Sequence, residues 1–194
     1  MPDFRQIRPF KILALVMVAI AAILTITSLA GPEWVSVSFY HEDKVRSWGL
    51  WWNCFKVHTS FEMCLTADWL VACAALVFFS LLAQVLALAV AVWGLSSRRR
   101  VPYLVAGGLC CGAGACLIIC LIIYPVMFTM EVKENKNFYT ETSDFSFDWT
   151  YGIAWGAVIF LMCATIFFFV RVREENDAQP MKLVKENPLT YYSA

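Results

Sequence analysis

The chain has 194 residues, of which 60% are hydrophobic and 15% charged, and its formal net charge is zero. A soluble domain carries about 45–50% apolar and about 25% charged residues, so this much apolar surface exceeds what a small globule buries and calls for lipid or a partner. A neutral chain with no basic stripe of interleaved aromatics is not built for nucleic acid.

A hydrocarbon core of about 30 Å takes roughly 20 apolar residues as a helix. Four segments meet that length: 12–30, 69–95, 102–127 and 151–170, none with Asp, Glu, Lys or Arg in its interior. The first span has a basic start (Arg5, Arg8, Lys11), as a signal peptide would. It is long for a cleaved leader, and proline in Ala30-Gly31-Pro32 makes a poor cleavage site, so a retained helix is expected.

The first loop, 31–68, follows. Trp34 to Tyr40 mostly alternates apolar and polar residues, which predicts a half-buried strand. His41 to Lys44 reads as a turn and Val45 to Trp52 as a second strand, giving a short antiparallel sheet outside the membrane. Cys54 and Cys64, nine residues apart, are expected to form a disulfide in an oxidising compartment; two free thiols are the alternative. With His41 or His58 they match no zinc spacing, so no metal is expected.

The second span holds Gln84, the sole amide in any span, which can hydrogen-bond across a helix pair. A short turn, Ser97 to Arg100, then forces spans two and three to pack antiparallel. The third span carries Gly108 and Gly112, and the fourth Gly152 and Gly156, both at GxxxG spacing. Such pairs permit close backbone approach, and the reading favoured here is a seam within the bundle, with a face between two copies as the alternative. Trp69, Tyr103, Tyr124, Trp149, Tyr151 and Trp155 stand near span ends, as an interfacial aromatic belt requires. The six cysteines inside the apolar runs read as small hydrophobes. Cys110-Cys111 lies too deep for acylation at the cytosolic face.

Basic residues near the spans set orientation. With the N-terminus inside, the inner segments hold ten basic and five acidic residues, and the outer segments five and ten. Both termini are therefore expected in the cytosol, with a first extracellular loop at 31–68, a second at 128–150 and a tail at 171–194. The second loop is acidic through Glu131, Glu134, Glu141, Asp144 and Asp148, which reads as solvation, with a calcium-sensitive or charge-complementary contact to a neighbouring cell as the alternative. Neither outer loop has an N-glycosylation site. The spans offer no ionisable group at depth for transport, and the loops no nucleophile and base pair for catalysis, so neither an enzyme nor a cofactor is expected.

Trp34, then Gly49-Leu50-Trp51-Trp52-Asn53-Cys54, then Cys64, resembles the W…GLWxxC…C mark of the claudin and peripheral myelin protein superfamily. Ile123-Tyr124-Pro125-Val126, the segment Phe147 to Gly156 and the Ser97-to-Arg100 turn are similar to the branch that contains transmembrane protein 47 and PERP; the tail and the turn point to different members. The resemblance covers roughly residues 10–169. It implies an all-α membrane protein, a left-handed four-helix bundle under a small extracellular antiparallel β-sheet to which the second loop adds a strand. It also implies that Trp34, Leu50 and Trp51 anchor that sheet at the outer membrane face, Trp34 as a structural wedge.

By the same resemblance the function is non-enzymatic: organising cell-cell adhesion and junction assembly at the plasma membrane, with a role in apoptosis. The partners implied are the lipid bilayer, junctional membrane proteins in cis or trans, a cytosolic scaffold at the tail and a second copy of the chain. An auxiliary, gamma-like channel subunit and a paracellular barrier or pore are the alternatives. Two departures weigh against the pore: Cys73 stands about where claudins usually carry arginine, and the Tyr192-Ser193-Ala194 end fits a PDZ groove poorly.

Overall fold

The computed structural model describes residues 9–39, 42–51, 54–57, 61–64, 67–97, 101–134 and 142–186. Four helices, α1 (Pro9–Ala30), α2 (Ala67–Ser97), α3 (Val101–Glu134) and α4 (Trp149–Glu186), are joined by strands β1 (Val35–Phe39), β2 (Glu42–Trp48), β3 (Cys54–Val57), β4 (Phe61–Cys64) and β5 (Thr142–Phe147). Each helix contains a stretch long and apolar enough to cross a membrane. The helices form a closed ring in which α1 packs on α2, α2 on α3, α3 on α4 and α4 back on α1.

Two helices outrun the spans expected for them. The helix α3 continues past 127 to Glu134, and α4 past 170 to Glu186. At about 1.5 Å per residue both exceed an about 30 Å hydrocarbon core. The charged residues that end each apolar run, such as Lys133, Glu134, Arg171, Arg173, Glu174 and Glu175, are poorly suited to lipid but are good helix formers.

The glycine expectation needs correction. Among the described residues a Cβ built on Gly108, Gly112 or Gly152 meets nothing within 4 Å, so these face away from the described part of the bundle. Gly156 alone of the four approaches a neighbour, Leu24 on α1. The close seam of α3 instead uses Gly107, where a Cβ would lie 3.2 Å from Phe168 Cβ, with Cys110, Ala113 and Gly114 on the same buried face. GxxxG spacing sets two glycines on one face without saying which way that face points.

The aromatic belt is also redistributed. Tyr103, Tyr124 and Trp69 are buried in the bundle, whereas Trp149 and Trp155 are exposed, as are Trp51 and Trp93. At mid-bundle Gln84 is fully buried, and its Nε2 donates to Thr25 Oγ1 (3.0 Å) and Ser80 Oγ (3.1 Å). Ser80 in turn donates to the Ala113 carbonyl at 2.9 Å, so one amide stitches α1, α2 and α3. At the end away from the sheet, Lys11 Nζ sits 4.4 Å from the Tyr103 ring centroid.

The sheet order is β2-β1-β5, all antiparallel, with Val35 opposite both Trp48 and Phe147. The expected first strand is present as β1, and Val35 and Val37 are buried while Ser36 and Ser38 are partly exposed. The second strand begins earlier than expected, at Glu42, and ends at Trp48. The third comes from the segment between α3 and α4, as the resemblance implied. A separate hairpin pairs β3 with β4. The expected turn residue His41, His58, the Arg98–Arg100 turn and the tail beyond 186 lie outside the described residues.

Candidate interaction site

The last turn of any helix leaves carbonyls without intrahelical donors, and at a membrane edge each must be met. At the end of α1 three are met in sequence. Gly31 N donates to Thr27 O at 2.9 Å. Trp34 Nε1 donates to Ser28 O at 2.9 Å, and Trp51 Nε1 donates to Leu29 O at 2.7 Å. The two tryptophans of the first-loop motif thus act as indole caps on the first helix, which explains why the motif uses tryptophan rather than any large apolar residue.

The rest of the motif closes the chain onto that cap. A Cβ on Gly49 would lie 2.8 Å from Pro32 O and 3.1 Å from Gly31 O, so only glycine lets β2 return this close to the end of α1. Trp34 N donates to Trp48 O at 2.8 Å, and Leu50 is buried beneath the turn. Trp34 has 0% exposure and Trp51 57%; the first wedges into the protein, while the second presents its ring outward with its N–H tied back. The N-terminus of α4 is fastened to the same segment. Asp148 N donates to Trp34 O at 3.0 Å, Ser36 Oγ donates to the Asp148 carboxylate, and Thr150 Oγ1 donates to Glu33 O. Ser28 Oγ donates to Thr150 O at 3.0 Å, joining α1 directly to α4.

Below the cap lies an aromatic seat. Trp34 packs on Tyr124 (centroids 4.9 Å apart) and on Tyr151 (5.9 Å), and Trp69 meets Tyr124 edge-on at 5.5 Å. Phe128 contacts Trp48 of β2 and Phe145 of β5. Trp69 Nε1 also donates to Glu131 Oε2 at 2.7 Å, bridging α2 to the projecting end of α3. Every helix and all three strands of the larger sheet therefore meet here or at the cap above it.

Pro125 contributes through what it lacks. It has no N–H for the carbonyl four residues earlier, Leu121 O. Tyr151 Oη donates to that carbonyl at 2.8 Å from α4, restoring the lost bond across the helix pair.

Cys54 and Cys64 are Cα partners in the β3–β4 ladder. Directly opposed residues in an antiparallel pair stand about 4.5–5.5 Å apart at Cα, within the range a disulfide spans. Their side chains lie outside the described residues. Among the described residues no group of three or more His, Cys, Asp or Glu converges on a point that could hold a metal ion. What the region offers is a surface: a small sheet on a hydrogen-bonded, aromatic seat, rimmed by exposed Trp51, Phe147 and Trp149.

A four-helix membrane bundle carrying a sheet clamped by Trp34 and the Gly49-Leu50-Trp51 turn defines a class of tetraspan membrane proteins. The family pattern described as PMP-22/EMP/MP20/Claudin matches residues 9–168, and the chain belongs to that family. It is 29% identical over 135 residues to a zebrafish (Danio rerio) protein named p53 apoptosis effector related to PMP-22. That match covers 69% of this chain and 65% of the relative, just under two thirds of its length.

Proposed function

We infer that this protein organises cell-cell contacts: a non-enzymatic component of plasma-membrane junctions whose sheet faces outward and engages junctional membrane proteins in cis or trans. Both termini lie in the cytosol, and the C-terminal tail couples to a cytosolic scaffold. The observation that carries this reading is the clamp. Two indoles, a glycine turn and an aromatic seat immobilise the sheet on the bundle, while the described part of the bundle interior holds one satisfied amide network. A rigid exposed sheet held on a packed bundle suits recognition. The name of the zebrafish relative adds a contribution to apoptosis. The Cys54–Cys64 disulfide belongs to this reading, pinning β3 to β4.

The test is a C-terminally tagged chain in polarised epithelium, with tag accessibility probed before and after permeabilisation. Signal at lateral contacts, with the tag reached only after permeabilisation, supports the reading. Diffuse signal, or co-purification of a pore-forming channel subunit away from contacts, opposes it. Cys54→Ser should reduce surface protein; an unchanged surface level would break the disulfide assignment.

A further inference from the structure

Two buried thiols face each other across the α2–α3 seam. Cys73 and Cys120 both have 0% exposure, and Cys120 Sγ lies 3.5 Å from the Cys73 carbonyl oxygen. Each thiol is an ionisable neighbour of the other across the seam. One turn further along α3, at the i+4 position that shares a helix face with Cys120, is Tyr124. Its ring is fully buried, its hydroxyl has no hydrogen-bond partner among the described residues, and both thiols are its ionisable neighbours. A role as small hydrophobes accounts for the burial of each cysteine. It does not account for their pairing, nor for a phenol O–H left without an acceptor beside them, which costs about 1–3 kcal/mol.

We propose that Cys73 and Cys120 form a redox pair that closes into an α2–α3 disulfide, with Tyr124 as the hydrogen-bond donor that steadies the attacking thiolate. The oxidant is hydrogen peroxide, small and neutral enough to enter an apolar seam. One thiolate attacks a peroxide oxygen; the S–O bond forms, the O–O bond breaks, and the departing hydroxide takes the thiol's proton as water, leaving a sulfenic acid. The second thiol attacks that sulfur; the S–S bond forms, the S–O bond breaks, and its proton leaves with the hydroxide as a second water. Two thiols lose two electrons and one peroxide gains them. The bond lies beneath the aromatic seat, where it locks α2 to α3 under the sheet.

The experiment uses the full chain, reduced beforehand, in lipid nanodiscs. After graded peroxide, free thiols are blocked with N-ethylmaleimide in denaturant, disulfides are reduced and labelled with iodoacetamide, and each cysteine is read by mass spectrometry. The expected result is joint, equal conversion of Cys73 and Cys120 while Cys110 keeps its maleimide. Cys73→Ser should leave Cys120 outside any disulfide. Tyr124→Phe keeps the ring and should slow pairing on the order of tenfold, as loss of a hydrogen bond to a charged group implies. Unequal conversion of the two, or retention of maleimide on both at doses that oxidise exposed Cys111, would overturn the proposal. Unslowed pairing in Tyr124→Phe would remove the phenol from the step.

Discussion

The Trp34-to-Trp51 clamp and the outward glycines of α3 are both short motifs visible in the sequence, yet the folded chain closes one and leaves the other open. Trp34 and Trp51 each donate an N–H, and the end of α1 presents carbonyls that need one. Gly108 and Gly112 supply only the absence of a side chain. A motif that carries a donor must find its acceptor in an apolar setting, whereas a motif that carries only space is satisfied by lipid as well as by protein. Substitutions on the two sides of this comparison should therefore differ in size, and at the glycines in sign.

Trp34→Ala should be the most damaging. It removes a fully buried indole, its contacts with Tyr124 and Tyr151 and the donor to Ser28 O. Truncating a buried Trp costs about 3–5 kcal/mol, enough to abolish a sharp melting transition of the detergent-purified protein. Trp34→Phe should retain part of the packing and melt in between. A Trp34→Ala protein that melted like the parent would mean that the sheet does not depend on its wedge.

Gly49→Ala should come next. The added methyl would fall 2.8 Å from a backbone oxygen, which cannot rotate away as a side chain could. Overpacking of this kind costs about 1–3 kcal/mol and should lower the melting temperature without removing the four spans. An equal or higher melting temperature would show that the return of β2 to the end of α1 has slack.

How much of this was legible beforehand depends on whether a residue's partner lies nearby in sequence. The spans follow from apolar length, and β1 from the alternation of Val35, Ser36, Val37 and Ser38. Trp34, Gly49, Leu50 and Trp51 were recognisable as a set, but the carbonyls of Ser28 and Leu29 that they serve become visible only once the chain has turned back on itself. Tyr103 and Tyr124 sit near span ends, and proximity to an end does not reveal whether a ring faces lipid or a neighbouring helix. Pro125 announced a missing N–H, but nothing in the sequence pairs it with Tyr151.

That last pairing makes a sharper test. Tyr151→Phe should leave Leu121 O without its donor at a cost of about 1–3 kcal/mol. Pro125→Ala supplies a backbone N–H for the same carbonyl. If the bridge works as described, Tyr151→Phe should cost markedly less on a Pro125→Ala background, a coupling that a double-mutant cycle reads directly from melts of the four proteins. Strict additivity would separate the two residues.

Gly112→Ala should have the smallest effect, and of opposite sign to Gly49→Ala. The new methyl meets no atom of the described residues within 4 Å, and alanine in place of a helical glycine favours the helix by about 0.5–1 kcal/mol. A slightly raised or unchanged melting temperature is expected for the isolated chain, and the same for Gly108→Ala. A loss comparable to that of Gly49→Ala would require a neighbour on this face, which none of the described residues supplies. Since a second copy could supply that neighbour, the melts should be repeated at two protein concentrations: a penalty that grows with concentration would locate the contact between chains rather than within one.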